Sequence, residues 1–144
     1  MTRHPIHPML VHFPLAAWLL AAASDGAALA MARPFFWHVS ALLSLTGIVM
    51  GGIAAMAGAM ELQRVKGQAK LEQLAAIHGG IMGAAWVVAL AAMVLRIDDM
   101  LLTRIPAPVA VPVLDFVVAG LVLAGAFLGG EMVYRYGVGV KRAD

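Results

Sequence analysis

The chain has 144 residues, of which 62% are hydrophobic and 12% charged, and its formal net charge is +2 at pH 7. Soluble domains are nearer half apolar, with about a quarter of their residues charged. A mean hydropathy of +0.90 therefore excludes a water-soluble globular protein. The absence of cysteine excludes disulfides, iron–sulfur clusters and thiolate metal sites, and the small net charge argues against a nucleic-acid partner.

Four long apolar runs, residues 9–31, 35–60, 74–95 and 107–130, account for this composition. Each has about the 20 residues that a helix needs to cross a hydrocarbon core about 30 Å thick. Backbone polar groups in lipid must bond within the segment, so the runs are predicted to be helices. The first run lacks the basic start and the cleavage site of a signal peptide, and it is predicted to be a span.

Short connectors at residues 32–34, 61–73 and 96–106 predict that consecutive spans are antiparallel neighbours. We therefore predict an all-α integral membrane protein, with one domain over residues 1–144. Its fold is an antiparallel up-down bundle of four transmembrane helices, with both termini on the same side. No internal repeat is evident.

Basic residues are unequally divided between the two ends of this bundle. Seven of the ten lie on the side with the termini and the second connector: Arg3, Arg64, Lys66, Lys70, Arg135, Lys141 and Arg142. The other side has Arg33, Arg96 and Arg104, the last two near Asp98 and Asp99. The positive-inside rule then predicts that both termini face the cytoplasm.

Polar and ionisable groups from all four spans are expected at the cytoplasmic end of the bundle. They are His4, His7, His12, Glu61, His78, Glu131, Tyr134 and Tyr136. A smaller set, His38, Asp25 and Asp115, lies toward the outer side. Ionisable residues within a membrane are costly and usually face the bundle interior, so each is a functional candidate. Asp25 and Asp115 could equally be neutral acids bonded to backbone or to Ser24 and Ser40, and His38 an interfacial residue beside Trp37.

His12 and His78 are predicted to lie at one depth on different helices, where two imidazoles can bind one metal. Haem b needs only two axial nitrogens, and Gly79 beside His78 would let a porphyrin approach the backbone. Arg135 at the interface could pair with a propionate. A non-haem metal would instead recruit His4, His7 or Glu131, because zinc and copper sites take three or four protein ligands. The histidines could also be structural, bonding Glu61 or Glu131.

Small residues recur within the second and fourth spans, at Gly47, Gly51, Gly58, Gly125 and Gly129. They indicate either close packing of membrane helices or room for a flat cofactor. The ten methionines are expected to fill the core rather than to bind metal.

Two separated motifs, HPIHPMLVHFP at the start and GGEMVYRYGVGV at the end, resemble a family of small bacterial membrane proteins. That family is catalogued as domain of unknown function 2231, with the pattern HPxHPxLVHFP, a later histidine, and GGxLVYxHGVGV. The resemblance covers nearly the whole chain. The matching positions are His4, His7, His12, His78, Gly129, Gly130, Tyr134, Gly137 and Gly139. Tyr136 stands where the family usually has histidine, which favours a site that needs only His12 and His78.

The resemblance implies a four-helix protein of the bacterial inner membrane. Fusions of family members to Rieske or c-type cytochrome domains imply electron transfer near a quinone or a haem. We therefore predict an electron carrier, rather than a stand-alone enzyme, that binds haem b between His12 and His78. The wider cofactor site comprises His4, His7, Gly79, Tyr134, Arg135 and Tyr136. The alternatives are a metal-ion binding or transport protein, and a structural subunit of a larger respiratory or photosynthetic complex. The partner would be a quinone, a cytochrome or further copies of the chain.

Overall fold

The computed structural model describes residues 6–62, 66–98 and 103–138. Its helices are α1 (Ile6–Leu10), α2 (His12–Met31), α3 (Pro34–Glu61), α4 (Ala69–Arg96) and α5 (Ala110–Tyr134). The stretch Ile6–Met31 and the helices α3, α4 and α5 are each long and apolar enough to cross a membrane. This confirms the predicted all-helical membrane fold with four spans. Against the prediction, α4 begins earlier, at Ala69, and α5 both begins and ends later.

The first span is interrupted at Val11, between α1 and α2. Pro14 has no N–H group, so the helical hydrogen bond to the carbonyl of Leu10 is missing at this point. The free N–H groups at the start of α1 find a partner on another helix. Glu61 Oε1, at the end of α3, accepts hydrogen bonds from the backbone nitrogens of Ile6 (2.8 Å) and His7 (3.3 Å). A carboxylate is favourable there because the first N–H groups of a helix carry partial positive charge.

The bundle consists of two helical hairpins. Within the described residues, α2 packs most extensively against α3 and α4 against α5, whereas the α2–α5 and α3–α4 contacts are smaller. The helices α2 and α4 are therefore diagonally opposite, as are α3 and α5. Side chains that meet across the diagonal lie in the centre of the bundle.

A shift of 71 positions relates the second hairpin to the first. The hydrogen bonds between Arg96 and Asp25, and between Ser44 and Asp115, each join residues 71 positions apart. Buried positions repeat with the same shift, as in Pro14 and Ala85, Ala21 and Ala92, Ser40 and Val111, and Ala41 and Pro112. The molecule is thus two structural repeats around an axis that runs along the bundle. The expectation of no internal repeat is wrong, because the repeat lies in the burial pattern rather than in residue identity.

The core between the hairpins combines large and small side chains at equivalent positions. Trp18 is 2% exposed and packs with Ile48, Ala85, Ala89, Val118 and Val122. A Cβ atom on Gly47 or Gly51 would overlap the indole ring of Trp18, so these two glycines make room for it. Seventy-one positions on, the tryptophan is replaced by Ala89 and the glycines by Val118 and Val122. The first half therefore fills the core with one large side chain beside two glycines, and the second half with one small side chain beside two valines.

The connection between α2 and α3 contains a residue in a costly conformation. Ala32 has a φ of 51° in the left-handed region, and its N–H bonds the carbonyl of Ala28 at 3.0 Å. A non-glycine residue pays roughly 1 kcal/mol or more for this conformation. The position is the one at which helices commonly end with glycine.

We expect Ala32→Gly to raise the free energy of unfolding by about 0.5–1 kcal/mol, because glycine relieves the left-handed strain. Reversible unfolding in mixed detergent micelles measures the change. The matched control is Ala30→Gly, an exposed position inside α2, which should lower stability by about 1 kcal/mol. If both variants changed the free energy of unfolding in the same direction, the assignment of Ala32 as the end of the helix would be wrong.

Candidate functional site

Two histidines from the two repeats meet inside one end of the bundle. His7 on α1 and His78 on α4 have ring centroids 6.2 Å apart and ring planes at 86°. Both rings are part-buried. They are equivalent under the 71-residue shift, so the pair lies on the axis between the repeats.

Each ring is held by a carbonyl of the following helix in its own hairpin. His7 Nδ1 lies 2.8 Å from the Ala54 carbonyl oxygen, and His78 Nδ1 lies 2.9 Å from that of Gly125. A carbonyl oxygen only accepts, so Nδ1 carries the proton and donates it in both rings. In the neutral ring, the lone pair is then on Nε2, the nitrogen available to bind a metal. Metal-binding histidines usually donate their other ring N–H to a carbonyl or carboxylate, which fixes the orientation of the ring.

Glycine allows each imidazole to lie against a helix backbone. A Cβ atom on Gly58 would stand 3.0 Å from His7 Nδ1, and one on Gly129 would stand 3.3 Å from His78 Cε1. Each glycine lies one helical turn beyond the residue that supplies the carbonyl. Four of the five glycines singled out in the sequence contact flat side chains: Gly58 and Gly129 the two imidazoles, and Gly47 and Gly51 the indole of Trp18. The fifth, Gly125, makes room for Met82, so these glycines serve close packing between helices.

The structure brings His78 together with His7 rather than with His12. His12 lies on the exposed side of α2. Five residues along a helix turn the side chain by about 140°, so His7 and His12 cannot point the same way. His7 is in register with the buried stripe Pro14, Trp18, Ala21 and Asp25. Sequence reasoning missed this register, although the stripe itself and the 71-residue spacing of His7 and His78 are signals that could have found the pair.

The other predicted site residues lie around the pair or away from it. Gly79 is exposed, and within the described part of the chain no neighbouring atom lies within 4 Å of the point where its Cβ would stand. Arg135 Nη1 bonds Glu131 Oε1 at 2.9 Å, and its guanidinium and the Lys70 ammonium lie 5.7 and 5.9 Å from the ring centroid of Tyr136.

Tyr134 is 92% exposed, and His4 lies outside the described residues. Basic and aromatic side chains thus surround the end of the bundle that holds the histidines, and none of those described lies between the two rings.

A second polar cluster is buried in the half of the bundle away from the histidine pair. Arg96 donates to Asp25 through Nη1 (3.1 Å to Oδ1) and Nη2 (2.7 Å to Oδ2). The same Nη2 lies 2.6 Å from Asp115 Oδ2, which also accepts a 3.3 Å bond from the Ser44 hydroxyl. Arg96 and Asp25 are completely buried, and Asp115 is 2% exposed. Asp25 is 18 residues beyond His7, about 27 Å along the helix, so the cluster and the histidine pair are separate.

Two expectations for this end of the molecule are wrong. Arg96 ends α4 inside the bundle and pairs with two carboxylates, whereas the sequence predicts it in a connector. Ser40 donates to the Ala21 carbonyl rather than to an aspartate. His38 fits the interpretation of a residue outside the cluster, because it is exposed and bonds the Pro34 carbonyl of its own helix at 3.0 Å.

The fold and the two histidines on the axis between the repeats define a membrane protein built of two helical hairpins, with a pair of imidazoles at one end. The chain belongs to the DUF2231 family, described as predicted membrane proteins, whose family model matches residues 3–142. This confirms the resemblance seen in the two terminal motifs. No curated protein and no solved structure matches the chain.

Proposed function

We propose that this protein is a b-type cytochrome of the bacterial inner membrane, with haem b held by His7 and His78. The observation that carries the proposal is the pair of imidazoles on the axis between the repeats. His7 replaces His12 in the ligand pair suggested by the sequence. The haem iron would supply one-electron redox chemistry.

The donor set supports haem over a metal ion bound by protein alone. The two rings, whose centroids lie 6.2 Å apart, would each offer a neutral Nε2 to one iron. Within the described residues, no group of three or more His, Asp or Glu side chains is arranged to hold a metal ion. Haem needs only two axial nitrogens, whereas zinc and copper sites take three or four protein ligands.

The surroundings of the pair also suit a flat prosthetic group. Gly79, Gly80 and Gly83 leave the exposed face of α4 beside His78 free of side chains, and within the described part of the chain no neighbouring atom lies within 4 Å of their Cβ positions. The seams between the hairpins are less extensive than the contacts within them. Arg135 and Lys70, beside Tyr136, would offer positive charge to propionates at the membrane interface. A quinone or a cytochrome is the class of partner that such an electron carrier would serve.

The absorption spectrum of purified, dithionite-reduced protein tests this proposal. We expect split α and β bands from a six-coordinate haem in the wild type. His7→Ala and His78→Ala should each lose it, since each removes one of the two nitrogens proposed to hold the iron. His12→Ala is the matched control on the exposed face of the same span and should retain the spectrum.

Other outcomes would assign the site differently. Loss of haem in His12→Ala with retention in His7→Ala would restore the pair predicted from the sequence. A colourless protein with stoichiometric copper, zinc or iron in elemental analysis would favour metal-ion binding instead. Protein that remains colourless after haem reconstitution, with no bound metal, would contradict the proposal.

A further inference from the structure

We propose that the buried cluster of Arg96, Asp25 and Asp115 binds one exchangeable proton within the membrane. The site is distinct from the histidine pair and does not depend on the cofactor proposed there. Its ligand is the proton itself, shared between two carboxyl groups and held under one guanidinium.

Charge balance is the first argument. The guanidinium of Arg96 stays protonated in proteins, and two ionised aspartates would leave the cluster with a net charge of −1. All three side chains are at most 2% exposed. An uncompensated buried charge costs several kcal/mol, whereas one proton makes the cluster neutral.

The geometry of the two carboxyl groups is the second argument. Both Oδ2 atoms lie within 2.7 Å of the same nitrogen, Arg96 Nη2, so the two groups are close neighbours. When two carboxylates share one site, their repulsion leads one of them to keep a proton. Asp25 receives a bidentate pair of bonds from Arg96, which is the arrangement of an ionised carboxylate. Asp115 is engaged through Oδ2 alone, and it is therefore the better proton carrier.

The surroundings include a group that can respond to loss of the proton. All four spans contribute to the cluster: Asp25 from α2, Ser44 from α3, Arg96 from α4 and Asp115 from α5. Within the described residues, Arg96 Nε is a buried donor without a hydrogen-bond partner, and it can offer one more bond when the cluster becomes more negative. Arg96 is the last residue of α4, and Asp115 is less than two turns from the start of α5, so both lie toward the end of the bundle away from the histidine pair.

Infrared spectroscopy of the intact protein in lipid tests the proposal. We expect a carbonyl stretch of a protonated carboxyl group at neutral pH, above the amide I band, that shifts on exchange into deuterated water. Asp115→Asn should abolish the band. Glu131→Gln, at a carboxylate paired with Arg135 near the other end of the bundle, should leave it unchanged.

Labelling the aspartate carboxyl carbons of the wild type with a heavy isotope shows whether an aspartate carries the proton, without a variant, in case Asp115→Asn does not fold. A band that shifts with this label supports the proposal. The proposal is overturned by the absence of such a band at neutral pH, by a band insensitive to the label, or by one that persists in both folded Asp115→Asn and folded Asp25→Asn protein.

Discussion

Replacing Arg96 with methionine is expected to lower the free energy of unfolding by about 3–5 kcal/mol, because it leaves two buried carboxyl groups without their common partner. Methionine has similar length and high helix propensity, so the change isolates the charge and its hydrogen bonds. Reversible unfolding in mixed detergent micelles measures the loss. Arg33→Met, at an exposed arginine before α3, is the control and should change stability by no more than about 0.5 kcal/mol.

A triple variant distinguishes the net contribution of the whole cluster to stability from the cost of removing Arg96 alone. Asp25→Leu, Arg96→Met and Asp115→Leu together remove every charge from the site. Apolar side chains of similar volume often replace a buried ion cluster at no cost or with a gain in stability. We therefore expect the triple variant to be at least as stable as the wild type. An Arg96→Met variant as stable as the Arg33→Met control would mean that water already solvates the cluster.

Replacing Trp18 with alanine is expected to lower the free energy of unfolding by about 3–5 kcal/mol through the cavity left in the core. Trp18 is the largest fully buried side chain and contacts residues from both hairpins. Added volume beside Trp18 also destabilises the wild-type protein, through overpacking instead of a cavity. Gly47→Val and Gly51→Val place side chains where the indole ring lies, and such overpacking typically costs about 1–3 kcal/mol.

The structural repeat predicts that these two defects compensate. Trp18→Ala with Gly47→Val and Gly51→Val reproduces, in the first half, the arrangement of Ala89, Val118 and Val122 in the second. The valines should therefore stabilise the Trp18→Ala protein while destabilising the wild type, a coupling that a thermodynamic cycle measures directly. Additive losses in the combined variant would show that the two halves are not equivalent in packing.

Hydropathy was enough to predict the four spans, because long apolar runs have one structural solution in lipid. It could not predict which side of each helix faces inward, since these helices are apolar nearly all round and amphipathic periodicity is lost. His7 and His12 illustrate the consequence. Both lie near the start of the first span, and only the register of the buried stripe Pro14, Trp18 and Ala21 distinguishes the inward one.

The buried cluster could be predicted only in part, for a different reason. The sequence singles out Asp25 and Asp115 because a carboxyl group inside an apolar run is conspicuous. Arg96 follows the last apolar residue of its run and is therefore predicted in a connector, yet α4 extends through it and it is completely buried. The length of an arginine side chain lets its head group reach far from the backbone position that hydropathy assigns.

The two structural repeats also explain why residues that meet on the axis between them need not be identical. In a dimer of identical hairpins, residues on the axis meet their own copies, so an aspartate would face an aspartate and a tryptophan a tryptophan. Joining the two hairpins in one polypeptide removes that constraint, and here Asp25 faces Arg96 while Trp18 has Ala89 as its counterpart. His7 and His78 are identical, as are Gly58 and Gly129 beside them. The two halves thus differ where they form the buried ion cluster and are alike at the other end, where two imidazoles meet.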